Sequence, residues 1–214
     1  VQPTYRCNCS CLFCGGSIAR RQGHINFNEE LSDEQWHGII KECLDIGVRI
    51  WWISGGGDPL SRNDLSVSMI RQVKSSSFET FGMLTTNGVG FSEGDIEEIV
   101  KIGWDTINFS VDAHTAERHN FLRNTPNAFE RAMRAIMLFD KHKKRYNTNK
   151  PFIRISAILN NYNFRELSEF VQIAYNHGCQ ALSMCPLTIS EPIKDTVVNN
   201  KICITKGHEA TIKE

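Results

Sequence analysis

Short apolar runs alternate with helical patterns along most of this chain, and that alternation constrains the fold more than any other feature. Residues 48–54 (VRIWWIS) form a nearly continuous apolar run, as expected for a strand buried on both faces. Before it, Ser32 stands as a helix N-cap with acid in the first turn. Trp36, Ile39, Ile40 and Cys43 follow at helical spacing, and Gly47 marks the stop. The pattern repeats: a helix over 63–75 and a strand over 80–85, then a helix from Glu93, capped by Ser92 and closed by Gly103, and a strand over 106–111. A helix over 127–141 leads to a strand over 152–158, and a helix over 163–177 leads to a strand over 181–184. With a strand ending near Tyr5, this makes six strands and five helices. Right-handed βα crossovers require a parallel sheet, either open and doubly wound or barrel-like. Six units fall short of the eight in a complete barrel. Residues 186–214 lose the pattern and read as a C-terminal extension of a 1–185 core, covering the sheet or leading toward a substrate region or further domain.

In such a sheet, functional groups collect in the loops after the strands' carboxyl ends. The first of these loops holds four cysteines in eight residues: Cys7, Cys9, Cys11 and Cys14. Disulfide frameworks belong to small secreted scaffolds, so clustered thiols in a chain of this size point to metal. Cys7, Cys11 and Cys14 have CxxxCxxC spacing. A four-iron cluster normally takes four thiolates, so three ligands leave one iron open, the mark of a reactive rather than a closed site. Cys9 is either a fourth ligand or a buried thiol beside the cluster. Phe13 suits either core packing or stacking against an adenine.

The later strand ends are also polar. SGGGDPL (54–60) lacks the patterns of dinucleotide and phosphate loops, and a turn lined by carbonyls favours a cation such as an ammonium group. TTNG (85–88) and SVD (110–112) are suited to turn formation, or to binding hydroxyls of a ligand.

Together these motifs resemble the radical S-adenosylmethionine (SAM) superfamily from Thr4 to Cys185, most nearly the branch of the molybdenum-cofactor cyclase and the peptide and sulfatase maturases. The resemblance implies an α/β partial (βα)6 TIM-like barrel with parallel strands. It implies a [4Fe-4S] cluster on Cys7, Cys11 and Cys14 that reductively cleaves SAM to a 5′-deoxyadenosyl radical. By the same resemblance Phe13 lies near the adenine, Gly56, Gly57 and Asp58 hold the amino group, and Ser110 meets the ribose or carboxylate. Arg123 pairs with the carboxylate, and Met184 offers its backbone to the adenine. A peptide or small-molecule substrate and an electron donor such as a flavodoxin or ferredoxin are implied as partners. Asp58 stands where the family has Glu, with an additional glycine before it. Only Cys179, Cys185 and Cys203 follow the first half, too few for a domain of auxiliary clusters within these residues. The competing reading is a non-catalytic zinc or iron–sulfur module closed by all four clustered cysteines.

Composition narrows the partners. The 24 basic and 24 acidic residues balance, which leaves no broad footprint for nucleic acid. The one basic run, KHKKR at 141–145, reads as a solvated helix C-terminus. No run approaches the roughly 18–20 apolar residues of a membrane span, and no signal segment opens the chain. The expected setting is cytoplasmic, with an oxygen-sensitive centre.

Overall fold

The computed structural model describes residues 1–204. Five parallel strands form one sheet in the order β1 (Ile50–Ile53), β2 (Phe81–Thr86), β3 (Thr106–Ser110), β4 (Phe152–Leu159) and β5 (Ala181–Pro186). Spatial order follows chain order. A doubly wound sheet must reverse its order at a switch point; this one winds in a single sense, as a partial barrel does.

The segment expected as a first strand is not regular. Val1 bridges to β1, its amino group donating to Trp52 O at 2.7 Å and its carbonyl accepting from Ser54 N at 3.1 Å. The next donor in that register would come from Pro3, which has no N–H. The chain then bends away to accept from Gly57 N through Thr4 O and from Asp58 N through Arg6 O.

Eight helices flank the described sheet: α1 (Gly15–Arg21), α2 (Asp33–Asp45), α3 (Asn63–Lys74), α4 (Glu93–Ile102), α5 (Ala116–Arg123), α6 (Ala128–Arg145), α7 (Leu167–Asn176) and α8 (Lys194–Asn199). Ser32 and Ser92 each close a capping box, with Gln35 and Asp95, and Gly103 ends α4 in the left-handed region at φ 74°. Helix α7 starts four residues later than its pattern suggests. Asn160 and Asn163 bond back to local backbone and hold 160–166 in turns. The basic run continues α6 instead of following it. Lys141 and Arg145 pair with Glu93 and Glu97 of α4, while Lys143 is buried against Pro151 O.

The core lies on the convex face. There Ile53, Leu84, Ile107, Phe109 and Ile155 meet Ile70, Ile99, Ile136 and Phe139, each fully or almost fully buried. Each such side chain contributes about 1.5–3 kcal/mol. The concave face is different, and it corrects the expectation that β1 is buried on both sides. Ile50 and Trp52 are 77% and 55% exposed, because no helix covers the inside of an open barrel. No described helix is long and apolar enough to cross a membrane.

Candidate functional site

The cysteine loop is held by the end of α5, a helix the sequence patterns did not reveal. Its last turn leaves carbonyls without intrahelical partners; Leu122 O accepts from Leu12 N at 3.0 Å and Arg123 O from Ser10 N at 3.2 Å. From α1, Arg20 donates to Tyr5 O and Cys9 O. Ile18 and Leu122 pack with Ile193, Val197 and Ile202, so the extension residues up to 204 cover the outer side of this loop.

The glycine turn fits against the loop with no room for side chains. A Cβ on Gly57 would stand 1.9 Å from Arg6 O, one on Gly56 2.2 Å from the Tyr5 ring, and one on Gly16 2.7 Å from Gly56 O. The amides of Gly57 and Asp58 are taken by Thr4 O and Arg6 O. No donor among the described residues bonds the carbonyls of Gly55, Gly56 or Gly57. Asp58, 4% exposed, ties this turn to the end of β2. Its carboxylate accepts from Leu60 N at 3.0 Å, Thr86 Oγ1 at 2.9 Å and Asn87 N at 2.7 Å. Burial pushes its carboxyl up, against those bonds and the charge of Arg123.

Arg123 is 8% exposed, so it is not the exposed helix cation that a short polar helix suggests. One guanidinium nitrogen stands 2.6 Å from Asp112 Oδ2, off-line as a hydrogen bond, and donates to Ser110 O at 3.0 Å. The other lies 3.6 Å from Cys11 Sγ, and Nε has no partner among the described residues. Asp112 is itself fixed by Ile158 N at 2.9 Å. Burial opposes the charge on Arg123; Asp112 and the cysteine sulfurs more than offset it, so its pKa is raised. The neighbouring His119 accepts from Asp112 N through Nδ1 and stays neutral, burial and the Arg123 charge holding it down near about 3.

These groups line one cavity of about 660 Å³ at the carboxyl ends of the strands. Cys7, Cys11, Cys14, Phe13, Gly56, Gly57, Asp58, Ser110 and Arg123 all reach it. Met184 does not: it packs toward the convex core, while its neighbours Ser183 and Cys185 face the cavity. Cys9 is 2% exposed, packs with Val89, Ala128 and Cys11, and does not line the cavity. A second cavity of about 600 Å³ lies at the opposite strand ends, around Ile50, Phe81 and Phe152, and no cysteine lines it.

The three cavity thiols suit an iron–sulfur cluster. Among the described residues no three His, Cys, Asp or Glu side chains converge tightly enough for a single metal ion; a four-iron cluster spreads its thiolates around a cube instead. Donors stand ready for the sulfurs, with Cys9 N 3.4 Å and Asn87 Nδ2 3.8 Å from Cys7 Sγ and Arg123 beside Cys11. Burial pushes the Cys7 thiol up to about 11 and raises Cys11 too, so metal coordination must supply the energy that deprotonates them.

Several lining residues escaped the sequence reading. Asn108, Ser156 and Ser183 form a hydrogen-bonded row across β3, β4 and β5, and Arg154 faces the same cavity from β4. The signal was the alternation in FIRISAIL, where Arg154 and Ser156 interrupt apolar residues at every second position.

The sequence description of the Radical SAM superfamily matches residues 1–174. Over 133 residues the chain is 32% identical to PqqA peptide cyclase of Rhizobium meliloti, covering 62% of this chain and 33% of that one. It is 34% identical over 131 residues to a probable GTP 3′,8-cyclase of Methanopyrus kandleri, covering 60% of this chain and 38% of that one. The chain thus spans between 33% and 38% of the length of these curated relatives. The crystal structure of Streptococcus suis SuiB bound to S-adenosylmethionine shares the fold, with a TM-score of 0.73, 16% identity, and coverage of 95% of this chain and 42% of that chain. Matched through 174 of its 214 residues, and folded as the partial barrel its motifs imply, the chain belongs to the radical SAM superfamily.

Proposed function

We propose that this chain is the catalytic core of a radical SAM enzyme acting on a peptide. The arrangement of the cysteines carries the reading. Three of the four clustered thiols line the cavity and Cys9 is turned into the core, a set with one ligand fewer than a closed four-thiolate site. When bound, a [4Fe-4S] cluster and SAM supply reductive cleavage of a sulfonium carbon–sulfur bond and hydrogen abstraction by the 5′-deoxyadenosyl radical.

The chain's own part is to hold and shield. Cys7, Cys11 and Cys14 are the cluster ligands. The free carbonyls of the glycine turn, at Gly56 and Gly57, hold the SAM ammonium; Asp58 fixes that turn against Asn87, and its own oxygens are already occupied. Arg123, which lines the cavity, faces the SAM carboxylate. Ser110 meets the carboxylate or ribose, and Phe13 flanks the adenine. The extension against α1 keeps water from the outer side of the loop. A peptide substrate is supported by the relative named PqqA peptide cyclase and by the open concave face, where exposed Ile50, Trp52 and Phe81 offer an apolar track. A flavodoxin or ferredoxin as electron donor, in the cytoplasm and away from oxygen, suits a low-potential centre.

The test is anaerobic reconstitution with iron and sulfide, followed by dithionite and SAM. The expected products are 5′-deoxyadenosine and methionine. A fully loaded cluster that yields neither overturns the reading.

A further inference from the structure

Five charged side chains line the main cavity, and four are already committed. Arg20 donates to Tyr5 O and Cys9 O, Asp58 accepts from Leu60, Thr86 and Asn87, and Arg123 and Asp112 form an ion pair. Arg154 is the exception. Half-buried on the inner face of β4, it makes no hydrogen bond or ion pair among the described residues. Its strand neighbours are Asn108 on β3 and Ala181 on β5, and the small alanine leaves space beside the guanidinium. Arg154 lies two residues before Ser156, so about 6–7 Å deeper than the Ser110–Ser156 layer. By the same register Trp52 stands with Met83 and Thr106, two residues deeper again; its indole N–H is spent on Thr85 Oγ1 at 2.9 Å, so its 55% exposed ring presents an apolar wall to the cavity.

A half-buried cation has lost part of its hydration, and an anion with matching geometry restores the loss. The planar fork of arginine matches a carboxylate with two parallel N–H···O bonds. We infer that Arg154 is a substrate-recognition residue that binds a carboxylate one layer below the SAM site. This rests on the proposed function in placing a peptide there. The carboxylate is either an acidic side chain or a C-terminus, and the two sources are separable.

The experiment uses the full-length, cluster-reconstituted protein and three probes: N-acetylglutamate methylamide, N-acetylglycine and N-acetylglutamine methylamide. Binding is read by calorimetry and by tryptophan fluorescence, beside SAM affinity. At least one carboxylate probe should bind the unsubstituted protein, and which one binds identifies the source. The glutamine probe should not bind. Arg154→Gln should weaken the carboxylate probe at least tenfold and leave SAM affinity within twofold, while Arg154→Lys should keep part of the binding. Equal probe affinity in Arg154→Gln, absence of carboxylate binding, or a loss confined to SAM each overturns the assignment. If the carboxylate probe binds through Arg154 but no 5′-deoxyadenosine forms with SAM and reductant, the proposed function fails and the anion site stands.

Discussion

The rim and the floor of the cysteine-lined cavity are built differently. At the rim, Asp58, Asp112 and Arg123 are buried and bonded to each other or to backbone, and the glycine turn has no space for a single added carbon. Below it, Arg154 is unpaired among the described residues and Trp52 is exposed. A rim fixed in advance suits a ligand that never changes, since preorganised groups need no rearrangement when it binds. An unpaired floor suits a ligand that brings its own complement. Constancy belongs to the rim and specificity to the floor.

The comparison can be broken by substitution. The largest effect is expected at Cys11→Ala, which should abolish 5′-deoxyadenosine formation and lower the iron content. Cys9→Ala should retain the cluster, and the reverse result would exchange the ligand set. Gly57→Ala comes next: with Arg6 O at 1.9 Å from the added carbon, the backbone must move, at about 3 kcal/mol, visible as a lowered melting temperature. Asp58→Asn sets an amide N–H against the backbone N–H of either Leu60 or Asn87, and should cost about 2–3 kcal/mol in chemical denaturation.

Acid should loosen the rim through His119. Its folded pKa near 3 lies below the ordinary 6.5, so the unfolded chain binds the extra proton. Its contribution is therefore level above pH 6.5 and falls by about 1.4 kcal/mol per unit as the pH drops toward 3. By pH 5 the loss is about 2 kcal/mol, and His119→Gln should flatten that limb of the stability profile. The smallest effect belongs to the floor: Arg154→Gln should change stability by less than about 0.5 kcal/mol, since it breaks no bond described here. A cost as large as that of Asp58→Asn would erase the contrast.

Much of this was legible in the residues. The βα alternation, Ser32 and Ser92 as caps, the glycine stops and the cysteine spacing are local signals, and local signals survive without knowledge of partners. The Asp58 turn could be named but not its bonds, because Thr86 and Asn87 are far away in the chain. Helix α5 was invisible. Its buried residues include His119 and Arg123, polar groups that become interior only because Asp112 and the cysteine loop receive them. Arg154 was passed over inside a strand that otherwise reads as apolar.

Read alone, the residues define a parallel α/β chain with four clustered cysteines near its start, three of them in CxxxCxxC spacing. Only the folded chain shows that the strands wind in one sense as an open barrel, that Cys9 is buried off the cavity, and that Arg154, among the described residues, is the cavity charge left unpaired. The physical reason is range. Periodicity and capping act over a few residues, whereas the burial of a thiol or the pairing of a charge depends on groups brought from distant strand ends.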